Sequence, residues 1–252
     1  MAPPVLTSVV PNTGPAAGTN PVTLNGSQFT GAIAVMFGSA AALSYTVNNP
    51  STITATVPPG TGTVNVTVRT PAGLSNTIAY TYAPTPALSA IAPNQGPTSG
   101  GTSVVLTGTG LTGTTAVTFG STPATSYTVN SATQITAVTP AGTGSVACTV
   151  TGPGGTSNSV IYTYLAAPAL TALSPTQGPT DAGAAVTLTG TGLTTTLAVR
   201  FGTAPAAFTV VSDTTAIAIA PAGPAGPVLV SVTTSGGTSN SLSYQRVAPP
   251  AI

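Results

Sequence analysis

Pro93-Asn-Gln-Gly-Pro-Thr-Ser-Gly-Gly-Thr-Ser-Val-Val-Leu-Thr-Gly-Thr-Gly-Leu111 is a turn punctuated by proline and glycine that runs into an alternating apolar stretch. Nearly the same stretch opens at Pro11 and again at Pro175. The Phe-Gly pair downstream of it stands at Phe37, Phe119 and Phe201, so the intervals from 37 to 119 and from 119 to 201 are both 82 residues. A gapless period of that length is a small domain repeated, too long for one turn of a solenoid. The 252 residues therefore divide into three units, 1–83, 84–165 and 166–252, the last with a short tail from Val247 to Ile252. The junctions Ala83-Pro84-Thr85-Pro86 and Leu165-Ala166-Ala167-Pro168 hold proline and no Gly/Ser tract, which predicts a semi-rigid rod.

Within each unit apolar and polar residues alternate at period two, the mark of strands with one buried face. Val104 and Leu106 are expected to point inward with Ser103, Val105 and Thr107 outward, and Val22/Leu24 and Val186/Leu188 repeat the pattern. Val117 and Phe119 are inward on the next strand, while the position between them is free to vary as Met36, Thr118 and Arg200. Turn residues recur about every ten positions and no helical period occurs. The sequence predicts an all-β chain of three immunoglobulin-like sandwiches with seven short strands each.

Five motifs carry a resemblance. They are Pro-x-Leu-x-x-Ile-x-Pro at 86–93, Gly-Pro-x-x-Gly-Gly-x-x-Val at 96–104, Leu-Thr-Gly-x-Gly-Leu at 106–111, Val-x-Phe-Gly at 117–120 and Gly-Gly-x-Ser-Asn at 154–158. Together they resemble the IPT/TIG family, immunoglobulin-like domains shared by plexins and transcription factors, and the match covers all three repeats. The resemblance implies the sandwich fold. For function it implies a range, from receptor ectodomains and Rel-type DNA-binding proteins to accessory domains of starch-active enzymes and bacterial surface proteins.

Charge narrows that range. The chain has three Arg, two Asp, no Lys, no Glu and no His, or 2% charged residues against about 25% in ordinary soluble domains. A net charge of +1 gives no field to steer phosphate or anionic lipid. Arg69, Arg200 and Arg246 are scattered over strand faces where the second copy has Thr151, Thr118 and Tyr164, so neither nucleic acid nor membrane is an expected partner. Acid–base catalysis needs a titratable pair. The candidates are Asp181, aligned with Ser99 and Ala17, and Asp213, aligned by the period with Ser131 and Asn49; both read as turn residues. Two carboxylates in separate turns make no calcium site. The expectation is no enzyme, no cofactor and no metal.

The remaining motifs have structural readings. Gly108-Thr-Gly110-Leu-Thr-Gly113 fits a dinucleotide fingerprint, but a strand follows it and the third copy has Thr195 for the last glycine. Cys148 aligns with Val66 and Val230 and is expected to be buried. The aromatic sets Phe37/Phe119/Phe201, Tyr45/Tyr127 and Tyr80/Tyr162/Tyr244 recur at inward phase and supply no sugar-binding platform. Tyr82 and Tyr164, replaced by Arg246 in the last copy, are expected to pack on the following domain. Asn25-Gly-Ser27 and Asn65-Val-Thr67 match the glycosylation pattern at the rate chance gives in so Asn/Thr/Ser-rich a chain.

What survives is a non-enzymatic structural or adhesive repeat. Its uncharged strand edges or domain ends would pair with copies of itself in a filament, a layer or a virion appendage. The alternative is a monomeric binding module presenting sandwich loops to a glycan or a surface protein. Either role places it at a cell or virion surface, although Met1-Ala-Pro-Pro-Val-Leu-Thr7 has neither region of a signal peptide.

Overall fold

The computed structural model describes residues 2–250, and every regular element among them is a strand. In the first repeat these are β1 (Val5–Val10), β2 (Thr13–Pro15), β3 (Pro21–Ser27), β4 (Ala34–Phe37), β5 (Ala40–Ala41), β6 (Ser44–Asn49), β7 (Thr52–Thr56), β8 (Gly62–Thr70), β9 (Gly73–Leu74) and β10 (Ile78–Ala83). Where the alternation predicts seven strands, ten form. The additions β2, β5 and β9 are pieces of two or three residues, too short to show a period. β2 arises because the chain leaves the first sheet after a cis peptide at Pro11 and pairs in parallel with β10, Gly14 opposite Tyr82. β5 and β9 are returns onto β4 and β8; the turn before β5 is made by Gly38 at a φ of 64°, a region L-residues avoid.

The two sheets of a repeat run β1-β3-β7-β6 and β2-β10-β8-β4-β5, with β9 also on β8. Ten strands between Ala87 and Leu165 and ten between Ala169 and Val247 repeat this order. The inner faces are those the alternation predicts. Val22 and Leu24 on β3 face Ala55 and Ile53 on β7, all of them buried, and Val35 and Phe37 on β4 close the core from the other sheet. Burying each of the larger side chains is worth roughly 1.5–3 kcal/mol, and each repeat has its own cluster of this kind.

The 82-residue period is broken once. Tyr45 and Tyr127 stand opposite Ala55 and Ala137, but in the third repeat Phe208 stands opposite Ala218, so the segment after Phe201 is one residue shorter than its counterparts. The turn between Ile219 and Gly226 is one longer than that between Val138 and Gly144, which restores the register. This corrects the alignment of Asp213. The amide of Leu193 donates to the Asp213 carbonyl as Leu111 does to Ala132 and Phe29 to Pro50, so Asp213 is the counterpart of Ala132 and Pro50, not of Ser131 and Asn49.

At the junctions each linker lies against the repeat that follows it. Thr85 donates its hydroxyl to the Gly154 carbonyl at 3.0 Å, and a Cβ on Gly154 would overlap the Pro84 carbonyl. Gly236 stands in the same relation to the Ala166 carbonyl, and Gln95 reaches the Ser235 hydroxyl at 3.3 Å. The last strand ends at Val247; of the C-terminal tail, residues 251 and 252 lie outside the described residues.

Candidate functional site

The residues that make the sequence recognisable are occupied in holding the fold. In the closing motif the Asn76 side chain donates to the Leu6 carbonyl and accepts from the Leu6 amide, both at 2.8 Å, which ties β1 to the loop after β9. Asn158 and Asn240 do the same for Leu88 and Leu170. The serine before each asparagine accepts from the amide of Val68, Val150 or Val232 at 2.9 or 3.0 Å. These side chains are engaged in holding one backbone segment to another. Gly108–Gly113 joins a strand to the strand Ala116–Phe119 and opens no helix, so it has no dipole to offer a pyrophosphate.

The aromatic residues form an internal stack. Phe37 and Tyr80 meet edge-on with ring centroids 5.3 Å apart, and Tyr80 and Tyr82 at 5.1 Å. Burial pushes the phenols of Tyr80 and Tyr82 up from their ordinary values. The Tyr80 hydroxyl pairs with Asn20, accepting from Nδ2 at 3.0 Å, whereas the hydroxyls of Tyr162 and Tyr244 are buried with no partner. Thr102 and Ala184 stand where the first repeat has Asn20.

Tyr82 and Tyr164 do not pack on the following domain. Each folds under a loop of its own domain and donates to a carbonyl there, Pro58 or Pro140, at 2.9 Å, against Gly60 or Gly142, where a Cβ would collide with the ring. Nor is the slot dispensed with in the last repeat. Arg246 fills it, 5% exposed, donating from Nη2 to the Pro221 carbonyl at 3.0 Å against Gly223, with its Nε buried and unpaired. The signal was in the sequence: the glycine two residues after each of Pro58, Pro140 and Pro221 recurs to admit the side chain.

The cysteine and the two aspartates stand in separate elements. Cys148 is buried beside Phe119, and burial pushes its thiol up to about 12. Asp213 is exposed at the turn before the strand Thr215–Ile219; hydrogen bonds from the Thr194 hydroxyl at 2.8 Å and the Gly192 amide at 3.2 Å hold its carboxyl below the usual range. Asp181 lies exposed in the loop before Ala185. Among the described residues no group of three or more His, Cys, Asp or Glu side chains could hold a metal ion, and no helix is long and apolar enough to cross a membrane.

Three copies of one scaffold in one chain act as a control: a side chain present in a single copy is one the fold does not require. Where β9 pairs with the end of β8, the counterparts in the second and third repeats pair hydroxyls, Thr151 with Thr156 and Thr233 with Thr238, both at 3.1 Å. The first repeat has Arg69 and Leu74 there instead. Leu74 is 57% exposed and neighbouring Ile33 58%, and with Arg69 they line an open hollow of about 400 Å³. The third repeat is singular at Val211, 60% exposed, and at Asp213, where the other copies have Asn130 and Ala132 or Asn48 and Pro50.

Two sheets in face-to-face contact, a first strand that switches sheets and three-fold repetition define a tandem immunoglobulin-like protein. The family model for the IPT/TIG domain matches residues 4–82, 86–164 and 168–246, and the chain belongs to that family. No curated protein sequence matches it. Among solved structures it is similar to the plexin A4 extracellular region, at 22% identity and a TM-score of 0.47 over 92% of this chain and 23% of that one. It is also similar to the adhesin FdeC of Escherichia coli, at 17% identity and 0.35 over 97% and 96%, and to an SGBP-B from a xyloglucan utilization locus in Bacteroides uniformis, at 20% and 0.34 over 91% and 66%. The chain spans about a quarter to a third of the two plexin structures it matches.

Proposed function

We propose that the chain is a non-enzymatic building block of an assembly at a cell or virion surface, and that it associates with copies of itself through its strand edges. One observation carries the reading. The outer strands β6 (Ser44–Asn49), Ser126–Ser131 and Phe208–Ser212, and the opposite edges β1 (Val5–Val10), Ala87–Ala92 and Ala169–Ser174, contain no charged residue. Isolated sandwiches block edge-to-edge pairing with lysines and inward charges, and this chain places neither there. The outward positions of these strands carry hydroxyls, such as Ser44 bonded to Thr56 and Thr7 bonded to the Asn25 carbonyl, beside exposed aliphatic side chains such as Val5, Val10 and Val211. Such edges are soluble yet remain able to pair. The asparagines and serines of the closing motif bind backbone of their own repeat, which supports a structural task over a loop-borne site. Electron microscopy of the full chain over a concentration series, at low and high salt, tests the reading. Ordered filaments or sheets that grow with concentration are expected, and separate three-lobed particles at every concentration would overturn it.

A further inference from the structure

A patch in the first repeat and a patch in the third carry opposite charges beside exposed aliphatic side chains. In the first repeat an arginine stands between two exposed aliphatic side chains, Ile33 and Leu74; in the third, the exposed Val211 stands two residues from the exposed carboxylate of Asp213. Arg69 and Asp213, like Arg200 and Asp181, stand at positions uncharged in both other copies; Ile33 recurs in the third repeat as the exposed Leu197, whereas Leu74 and Val211 do not recur. Both patches belong to loops and strand ends, Arg69 and Leu74 around the turn after β8 and Asp213 beside the seat of Leu165 and Ala166. The second repeat lies between them in the chain.

We propose that the Arg69 patch of one copy docks on the Asp213 patch of another, setting the stagger with which neighbouring chains associate. The inference rests on the self-association proposed above and adds its register. The occupant is a second copy because the two surfaces are opposite in charge, each has an exposed aliphatic side chain close in sequence to its charge, and the fold forms in the second repeat without either charge. Thr151/Thr156 and Ala132 occupy the same places in a sandwich of the same fold. The guanidinium presents a planar fork of donors to a carboxylate, and the aliphatic groups on either side shield the pair from water. Charge pairs of this kind decide register and partner more than affinity, and uncharged edges alone would leave neighbouring strands free to slide.

The test is a charge exchange on the full chain, Arg69→Asp, Asp213→Arg and the double variant, followed by sedimentation velocity and electron microscopy at low salt, with thermal unfolding to verify the fold. Each single reversal should raise the concentration needed for association at least about threefold, the scale of an exposed pair turned repulsive, and blur the axial repeat. The double variant should restore both. If the parent chain associates and the single variants associate with the same repeat, the docking is wrong and edge pairing stands. If the double variant behaves like the worse single, the two groups do not meet and the inference fails. If the parent chain does not associate at any concentration, the building-block reading falls first and takes this inference with it.

Discussion

At the scale of the residue, most of what the chain spells out is the cost of packing two sheets with few large side chains. Cys148 shows how far one position can be read. Its alignment with Val66 and Val230 predicts a buried small hydrophobe, and it lies buried beside Phe119 as those valines lie beside Phe37 and Phe201. The thiol's folded value, about 12 against an ordinary 9.0, is raised because burial disfavours the thiolate. A group raised on folding contributes stability that is fully present below its unfolded value and is lost as pH rises through the folded one. Compared with Cys148→Val, the second repeat should therefore keep its relative stability up to about pH 9 and lose it progressively towards pH 12. Denaturant melts of the two proteins at a series of alkaline pH values measure this, and parallel curves would contradict it. Asp213 shows where reading stops. A single deletion balanced by a single insertion leaves the 82-residue count intact at both ends, and backbone pairing is needed to reveal the slip between. Arg246 was obscured for a chemical reason: a guanidinium and a phenol share no character on a hydropathy pattern, yet both extend a donor to the same carbonyl.

At the scale of the element, the alternating strands were legible because each has one buried face, whereas β2, β5 and β9 were not, because pieces of two or three residues have no period to display. Their existence depends on partners far away in sequence. The parallel pairing of β2 with β10 links residues near 14 to residues near 82, a contact no local pattern encodes. The first strand depends on a distant residue in the same way. It is an edge strand whose register shifts between Leu6 and Ser8, and Asn76 bonds Leu6 at that irregularity through both its amide and its carbonyl. Removing that side chain leaves both backbone groups without partners. Asn76→Ala should destabilise the first repeat by about 2 kcal/mol, at about 1 kcal/mol for each hydrogen bond lost, and expose β1 to amide hydrogen exchange before the rest of its sheet. Uniform exchange across β1, β3 and β7 in the variant would show that the asparagine does not hold the strand.

At the scale of the whole molecule, three sandwiches follow one another in a chain that carries only 2% charged residues. The lack of charge was plain in the composition; which surfaces it leaves open was not, because edges are defined by strand order and strand order by the topology. The domain-specific patches at Arg69 and Asp213 were likewise hidden among scattered charges until the repeats could be superposed strand by strand. The central claim is that uncharged edges make this chain a self-associating block. Sedimentation velocity of the parent chain against a variant with Thr46, Thr128 and Thr209 each changed to Lys tests it most directly, since all three side chains are exposed on the outer strands and their replacement leaves the cores untouched. The account predicts that the parent sediments faster as concentration rises while the lysine variant keeps the boundary of a single chain. Identical, concentration-independent boundaries for the two proteins would contradict it.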